Sequence, residues 1–305
     1  MEILGAEETA ARLPYAELAE SIRSVALAGR SGEVQAPPRL ALPLKVEPGG
    51  VLLVMPASDG DIAITKLVTV HPGNASAGLP TIQGEVVVME AATGTRLGIL
   101  DGAVVTARRT AALSLLAAKH LAPRPDGPLL VVGAGTQARS HLEAFREGLG
   151  TSRVFVVSRT GDRAEDLARH ARDLGMETRS IRNAGEALDE ASLVITATTS
   201  REPVLPEEAP EDVFIAAVGS FEPEAAELPA ALVSGSTVVV DTMEGAEEEA
   251  GDLIQAARAG AFAWEDATPL ADALDWSERP ARRVVFKSVG HAMWDLAAAR
   301  TAFRR

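Results

Sequence analysis

Residues 129–138 read Leu-Leu-Val-Val-Gly-Ala-Gly-Thr-Gln-Ala: an unbroken apolar run, two closely spaced glycines, then residues that can open a helix. A short apolar run bounded by glycine fits a strand buried on both faces. Gly133 permits a tight turn out of that strand. Gly135 keeps a Cβ out of the path of a diphosphate, and the small Ala138 lets the following helix lie close to the strand. Thr136 and Gln137 start that helix, where free backbone amides attract phosphate. A glycine turn in an unrelated α/β fold would look the same in isolation, so the surrounding pattern has to decide.

That pattern alternates. Helical periodicity over 136–148 is followed by a strand at Val154–Ser158, a helix over 161–174, and strands at Leu193–Thr196, Val213–Val218, Thr237–Asp241 and Val284–Lys287. Nearly continuous apolar strands separated by helices predict a parallel sheet covered on both faces, the Rossmann arrangement of an α/β fold. The second strand bears on the choice of nicotinamide cofactor. An NAD site places Asp or Glu at its end to bind the ribose 2′-hydroxyl; this chain has Ser158-Arg159-Thr160 there, with Arg163 one turn into the next helix. A guanidinium matches a 2′-phosphate in fork geometry. The expectation is NADP(H) in preference to NAD(H); an Arg159 that points to solvent is the alternative.

The front third follows other rules. Residues 7–28 carry apolar positions at helical spacing and end at Gly29 and Gly32. The β-type runs Val51–Met55, Ile62–Val70 and Thr81–Glu90 follow, with a hairpin turn at 91–94 into Arg96–Leu100, and loops at Pro37-Pro38 and His71–Asn74. This predicts an antiparallel α+β unit. A helix over Ala103–Leu121 leads to the breaker-rich link 122–128, which sets expected domains of 1–122 and 123–287, with a final helix near 291–303.

The 305 residues, 47% hydrophobic and 24% charged, suffice for two globular domains. A formal charge of −14 argues against nucleic acid and anionic membrane partners, whose binding relies on clustered cations. The chain has no cysteine, which removes thiol nucleophiles, disulfides and thiolate metal sites. The acidic N-terminus does not read as a signal peptide, and no stretch approaches the length of a membrane span. A cytoplasmic location is expected. The acidic run Glu244–Asp252 reads as a solvated helix face without histidine ligands, so no metal is expected.

Several polar residues sit where plain structure would not ask for them. Arg39 follows two prolines, Lys66 interrupts an apolar strand, Thr81 follows Gly78-Leu-Pro80, and Arg109 opens a helix whose later turns are apolar. Each has a plain explanation when read alone: a loop charge, a solvent-facing strand position, a snorkelling helix residue. Of the histidines, His71 lies in a loop and His291 starts the last helix, where it can serve as an acid. His120, His141 and His170 fall within helices as packing or surface residues.

Taken with the nucleotide segment, these stretches resemble the ornithine cyclodeaminase/μ-crystallin family. The matching segments are Pro37-Pro-Arg39, Lys66–Asn74, Gly78–Gly84, Arg108–Ala112, Gly133–Ala138 and Lys287–Gly290, in family order across nearly the whole chain. The resemblance implies a discontinuous front domain that binds substrate and forms a homodimer through its sheet. It also implies a Rossmann domain and a C-terminal segment, 288–305, that returns to the front domain. By the same resemblance, Arg39 and Lys66 match substrate-binding residues, and Thr81, Arg109 and Thr110 match residues near substrate and nicotinamide. Thr136, Gln137, Thr198, Val218 and Ser288 fall in cofactor segments.

One departure redirects the expectation. Ornithine cyclodeaminases carry a catalytic Asp in a Gly-Gly-Asp-x-Pro-Gly-Lys-Thr-Glu segment; the matching stretch here is Gly219–Glu227, with Phe221 at the Asp position. Phenylalanine takes no proton. The reductase branch, which acts on the cyclic imino acids Δ1-pyrroline-2-carboxylate and Δ1-piperideine-2-carboxylate, also lacks that Asp. A small anionic imino acid is the expected substrate, with Arg39 holding its carboxylate and Lys66 exchanging the proton. Arg109 and His291 are further substrate candidates, Arg109 serving cofactor diphosphate as an alternative. The alternatives are an open-chain imino-acid reductase or alanine dehydrogenase, then a cyclodeaminase, and a non-catalytic ligand-binding protein of the μ-crystallin kind.

Overall fold

The structure is a computed structural model that describes residues 1–47 and 49–304. In chain order its elements begin β1 (Glu2–Leu4), α1 (Ala6–Ala11), α2 (Tyr15–Arg30), β2 (Leu40–Leu44), β3 (Gly50–Ser58), β4 (Ile62–Val70), β5 (Ile82–Glu90), β6 (Arg96–Asp101) and α3 (Gly102–Leu121). They continue with β7 (Leu129–Val132), α4 (Thr136–Leu149), β8 (Arg153–Val157), α5 (Gly161–Asp173), β9 (Glu177–Ser180), β10 (Leu193–Thr196) and β11 (Phe214–Ala217). The remainder is α6 (Ala230–Val233), β12 (Thr237–Val240), α7 (Met243–Glu249), α8 (Gly251–Arg258), β13 (Ala267–Pro269), α9 (Leu270–Ala273), β14 (Val284–Lys287) and α10 (Ala292–Ala302). No described helix is long and apolar enough to cross a membrane.

The chain divides into two compact units, Met1–Arg109 with His291–Arg305, and Thr110–Gly290. The first division falls inside α3, ahead of the proline-rich link. Leu113, Leu115, Leu116 and Leu121 in its later turns are buried, and Leu115 lies where a Cβ on Gly148 of α4 would be 2.4 Å away. The second division falls after Gly290, because Ser288 and Gly290 are both bonded to Asp241, just past β12.

The first unit holds a six-stranded sheet of order β1-β6-β5-β4-β3-β2. It is antiparallel throughout except at one edge, where β1 runs parallel to β6, so the front third is mixed rather than purely antiparallel. Three residues are too few for periodicity to reveal. The single helix expected over 7–28 is two, broken at Leu13-Pro14. Proline lacks the amide an uninterrupted helix would need and pushes the preceding residue toward extended backbone. α2 continues through Gly29, whose missing side chain accommodates Met293: a Cβ there would meet its Cε at 2.5 Å. The loop expected over His71–Asn74 enters a 3₁₀ turn that runs from Pro72 to Ala77. α10 packs against α2 and across β3, β4 and β5.

The second unit is an eight-stranded, all-parallel Rossmann sheet of order β13-β12-β14-β11-β10-β7-β8-β9. Strands run outward from β7 in one direction through β8 and β9, and in the other from β10. Strand order therefore reverses between β7 and β10, and the crevice at the carboxyl ends of those strands is where such sheets take ligands.

Candidate active site

Strand periodicity decides the fate of Lys66. Successive side chains on β4 alternate between faces, and Lys66 shares the inward parity with the buried Ile62, Ile64 and Val68. Its cross-strand partners are Met55 and Val86, both buried. Only 3% of Lys66 is exposed, so the solvent-face alternative is excluded.

A charge in such a place needs a partner, and α10 supplies one. Lys66 Nζ lies 2.7 Å from Oδ2 of Asp295, itself fully buried, while the other carboxylate oxygen is 3.4 Å from Nε of Arg109. Burial pushes the Lys66 pKa down from its usual 10.5 to about 8; Asp295 opposes the shift, and the charges on Arg109 and Arg39 add to it. Lys66 and Arg109 thus share one carboxylate, with the Arg39 charge acting on Lys66, an excess of positive charge suited to a small anion. The neighbouring Arg108 stacks its guanidinium over Tyr15 at 3.8 Å, and its Nε donates to the Leu13 carbonyl. Asp295 escaped the sequence reading, although a lone acid in the alanine-rich run 292–302 was a usable signal.

The other expected front residues are placed as follows. Arg39 is half-buried just before β2. Thr81 is half-buried, and its carbonyl accepts the His71 N–H at 2.8 Å. His291 caps α10, its Nδ1 accepting the Met293 N–H at 3.4 Å.

In the second unit the glycine turn has the geometry its residues suggest. Gly133 has φ +114°, and a Cβ there would lie 2.3 Å from the Ala197 carbonyl, so only glycine fits. Around Gly135 the opposite holds: φ is −91°, and a Cβ would meet nothing within 4 Å. That open space lies at the N-cap of α4, which has no side-chain cap. A helix start of this kind is where backbone amides can take phosphate. Thr136 is exposed, Gln137 half-buried and Ala138 buried. His141, one turn on, is buried; Nδ1 lies 2.7 Å from the Gln137 carbonyl and Nε2 2.9 Å from Ser114 Oγ, and burial pushes its pKa down to about 4. The ring is neutral, and it ties α4 to α3.

Ser158 is half-buried after β8, while Arg159, Thr160 and Arg163 are exposed; among the described residues neither arginine is hydrogen-bonded or ion-paired. Thr110 is buried in α3. Thr198 and Val218, half-buried, follow β10 and β11 at the same sheet edge, and the Ser288 hydroxyl donates to Asp241 Oδ2 at 2.8 Å.

A second buried charge cluster lies at that edge. The Glu227 carboxylate accepts hydrogen bonds from the Thr196 hydroxyl (3.0 Å), the Thr198 amide (2.7 Å) and hydroxyl (2.8 Å), and the Gly219 amide (2.7 Å). Burial pushes its pKa up, opposed by Lys287 and by the Thr198 bonds. The amides of Glu227 and Leu228 donate to Asp252 Oδ1, and Asp252 Oδ2 lies 2.6 Å from Lys287 Nζ, which also donates to the Ser220 carbonyl at 2.7 Å. The acidic run at 244–252 is thus not solvated throughout. Its last member, Asp252, is buried because a lysine closes the otherwise apolar strand β14. Phe221, on the turn this cluster encloses, is 46% exposed.

Comparison with known proteins agrees with this architecture. The chain is 41% identical over 302 residues to Delta(1)-pyrroline-2-carboxylate reductase 1 of Burkholderia multivorans, covering 98% of this chain and 94% of that one. Among solved structures it resembles Thermococcus litoralis Delta(1)-pyrroline-2-carboxylate reductase in complex with NADH and L-proline, with TM-score 0.91, 30% identity, and 99% and 96% of the two chains covered. It also resembles an archaeal alanine dehydrogenase dimer with bound NAD, with TM-score 0.88, 29% identity, and 99% and 94% covered. The family model for ornithine cyclodeaminase/mu-crystallin matches residues 2–305, and the chain belongs to that family.

Proposed function

We propose that the chain is an NADPH-dependent reductase of a cyclic 2-imino acid, converting Δ1-pyrroline-2-carboxylate to L-proline or Δ1-piperideine-2-carboxylate to L-pipecolate. The observation that carries this reading is the buried Lys66–Asp295 pair flanked by Arg109 and Arg39, in a chain whose relatives include a reductase of that imine.

Reduction of a C=N bond needs a hydride at carbon and a proton at nitrogen. Bound NADPH supplies the hydride. The chain's own residues do the rest. Arg39 holds the substrate carboxylate through parallel hydrogen bonds and fixes which face of the planar imine is presented. Lys66, with a pKa near 8, is largely protonated at neutral pH yet acidic enough to give its proton to the imine nitrogen. Asp295 holds the ammonium in place, and Arg109 adds positive charge beside it. Phe221 stands where a cyclodeaminase would need a carboxylate, which disfavours deamination. Arg159 and Arg163 bind the 2′-phosphate, giving the preference for NADPH over NADH.

We further propose a homodimer through the face of the first sheet opposite Lys66. Leu40, Leu42 and Leu67 are exposed there, and cross-strand pairing puts Leu52 and Val54 on the same face. An exposed apolar surface of this kind marks an interface, and the similar alanine dehydrogenase is a dimer. A cytoplasmic location is part of this proposal.

The test is an NADPH-oxidation screen comparing Δ1-pyrroline-2-carboxylate, Δ1-piperideine-2-carboxylate, pyruvate plus ammonia and oxaloacetate plus ammonia. Turnover of the cyclic imines supports the proposal. Preference for pyruvate or oxaloacetate with ammonia would make the enzyme an open-chain reductase, and no turnover of any imine would make it a binding protein. In the same assay Lys66→Met should abolish turnover; full activity would remove the assigned acid.

A further inference from the structure

Parallel sheets take dinucleotides at the carboxyl ends of their strands, in the crevice where strand order reverses. Here that crevice is formed by the segments after β7, β10 and β11. The glycine turn after β7 abuts the segment after β10: a Cβ on Gly133 would lie 2.3 Å from the Ala197 carbonyl and 3.4 Å from Thr198 Cγ2. That segment in turn abuts the one after β11, because a Cβ on Gly219 would lie 2.3 Å from the Thr198 carbonyl and 2.5 Å from Glu227 Oε1. The rim is continuous, and its two later segments share one anchor, the Glu227 carboxylate.

We infer that Glu227 is a positioning residue for the cofactor, holding the Thr198 and Gly219 segments in their binding shape before the cofactor arrives, with Asp252 and Lys287 bracing it from behind. The inference rests on the nicotinamide reading above.

A positioning role accounts for two features that a merely structural one leaves without a reason. First, a buried ion pair is a poor stabiliser: well-packed apolar residues of the same volume serve stability as well or better, because each charge loses its hydration. Three ionisable side chains, Glu227, Asp252 and Lys287, placed together in the interior therefore need another rationale. Second, the bonds are directional and fall on the rim. Each carboxylate oxygen accepts one backbone N–H, from Thr198 and from Gly219, and no apolar side chain could fix two loops at that spacing. Asp252 holds the backbone of Glu227 itself, and Lys287 holds both Asp252 and the Ser220 carbonyl, so the turn 219–227 is pinned at both ends.

Glu227→Gln tests the idea because its amide keeps the shape of the side chain but turns a donor toward one of the two N–H groups. Thr196→Val is the control: it removes one hydrogen bond to the same carboxylate without touching the rim amides. Isothermal titration of the intact enzyme with NADPH should show Glu227→Gln raising Kd tenfold or more, and Thr196→Val changing it less than twofold. Glu227→Gln binding NADPH within twofold of the parent would overturn the proposal.

A measurement on the unmodified protein decides the matter even if Glu227→Gln does not fold. In hydrogen exchange, the amides of Thr198 and Gly219 should already be protected without cofactor, and NADPH should add little. Protection that arises only with NADPH would show that the cofactor, not Glu227, shapes the rim. Should the unmodified protein bind neither NADPH nor NADH, the nicotinamide reading fails; the cofactor-free exchange still reports separately on whether Glu227 holds the loops.

Discussion

Replacing Asp295 by Asn separates the role of the buried pair from that of the fold around it. At 2.7 Å, opposite unit charges in an effective dielectric near 20 attract by about 6 kcal/mol. Part survives in the variant, since Asn still offers an oxygen to Lys66. Breaking a buried pair by removing one partner nonetheless typically costs ~3–5 kcal/mol. Lys66 can avoid that cost by releasing its proton. About 3 kcal/mol corresponds to roughly 2 pKa units, so the Lys66 pKa should fall from near 8 to about 6. Arg109 and Arg39, no longer offset, push in the same direction. If protonated Lys66 is the proton donor, activity declines as pH rises through its pKa, and that decline must move to lower pH in the variant. The expected result in NADPH-oxidation assays is a roughly 20-fold loss of kcat at pH 7.5 but little loss at pH 5.5. The substrate's own ionisation is common to both enzymes and cancels from the comparison. A uniform loss at every pH, with the midpoint unmoved, would refute the reasoning and leave Asp295 a packing residue.

Two further predictions concern the cofactor. Arg159 is exposed and, among the described residues, has no ion-pair partner, so Arg159→Ala should leave the melting temperature unchanged. A lost charge-assisted bond of ~1.5–3 kcal/mol should raise KM for NADPH about 10- to 100-fold and leave KM for NADH nearly unaltered; parallel losses with both cofactors would remove the arginine from 2′-phosphate recognition. Gly135→Val should fold normally, because the φ of −91° suits any residue and nothing lies within 4 Å of the added Cβ. The variant should fail to bind NADPH in calorimetry, and unchanged binding would mean the diphosphate does not approach the backbone there.

Much of the second unit was legible because its signals are local. A buried parallel strand shows itself as an apolar run, and β7, β10 and β14 match their expected limits. Gly133 and Gly135 carry distinct meanings that follow from glycine alone. What stayed hidden depends on contacts distant in sequence. Lys66 could be suspected from its strand, but Asp295 is more than two hundred residues further along, and only packing of α10 across β4 joins them. The same holds for Asp252: within an acidic run it reads as solvated, and only the three-dimensional neighbourhood of Lys287 makes it a buried partner. β1 was missed because three residues hold no period, and its pairing with β6 spans the front unit. The break in the first helix, by contrast, was available from Pro14.

The most direct test of the central claim follows the hydride itself. NADPH carrying deuterium at the transferred C4 position should be supplied with Δ1-pyrroline-2-carboxylate, and the product analysed by mass spectrometry and chiral chromatography. The proposed function predicts L-proline with one deuterium, at the carbon that was the imine carbon. Recovery of unreduced imine, or of proline without deuterium, would contradict it.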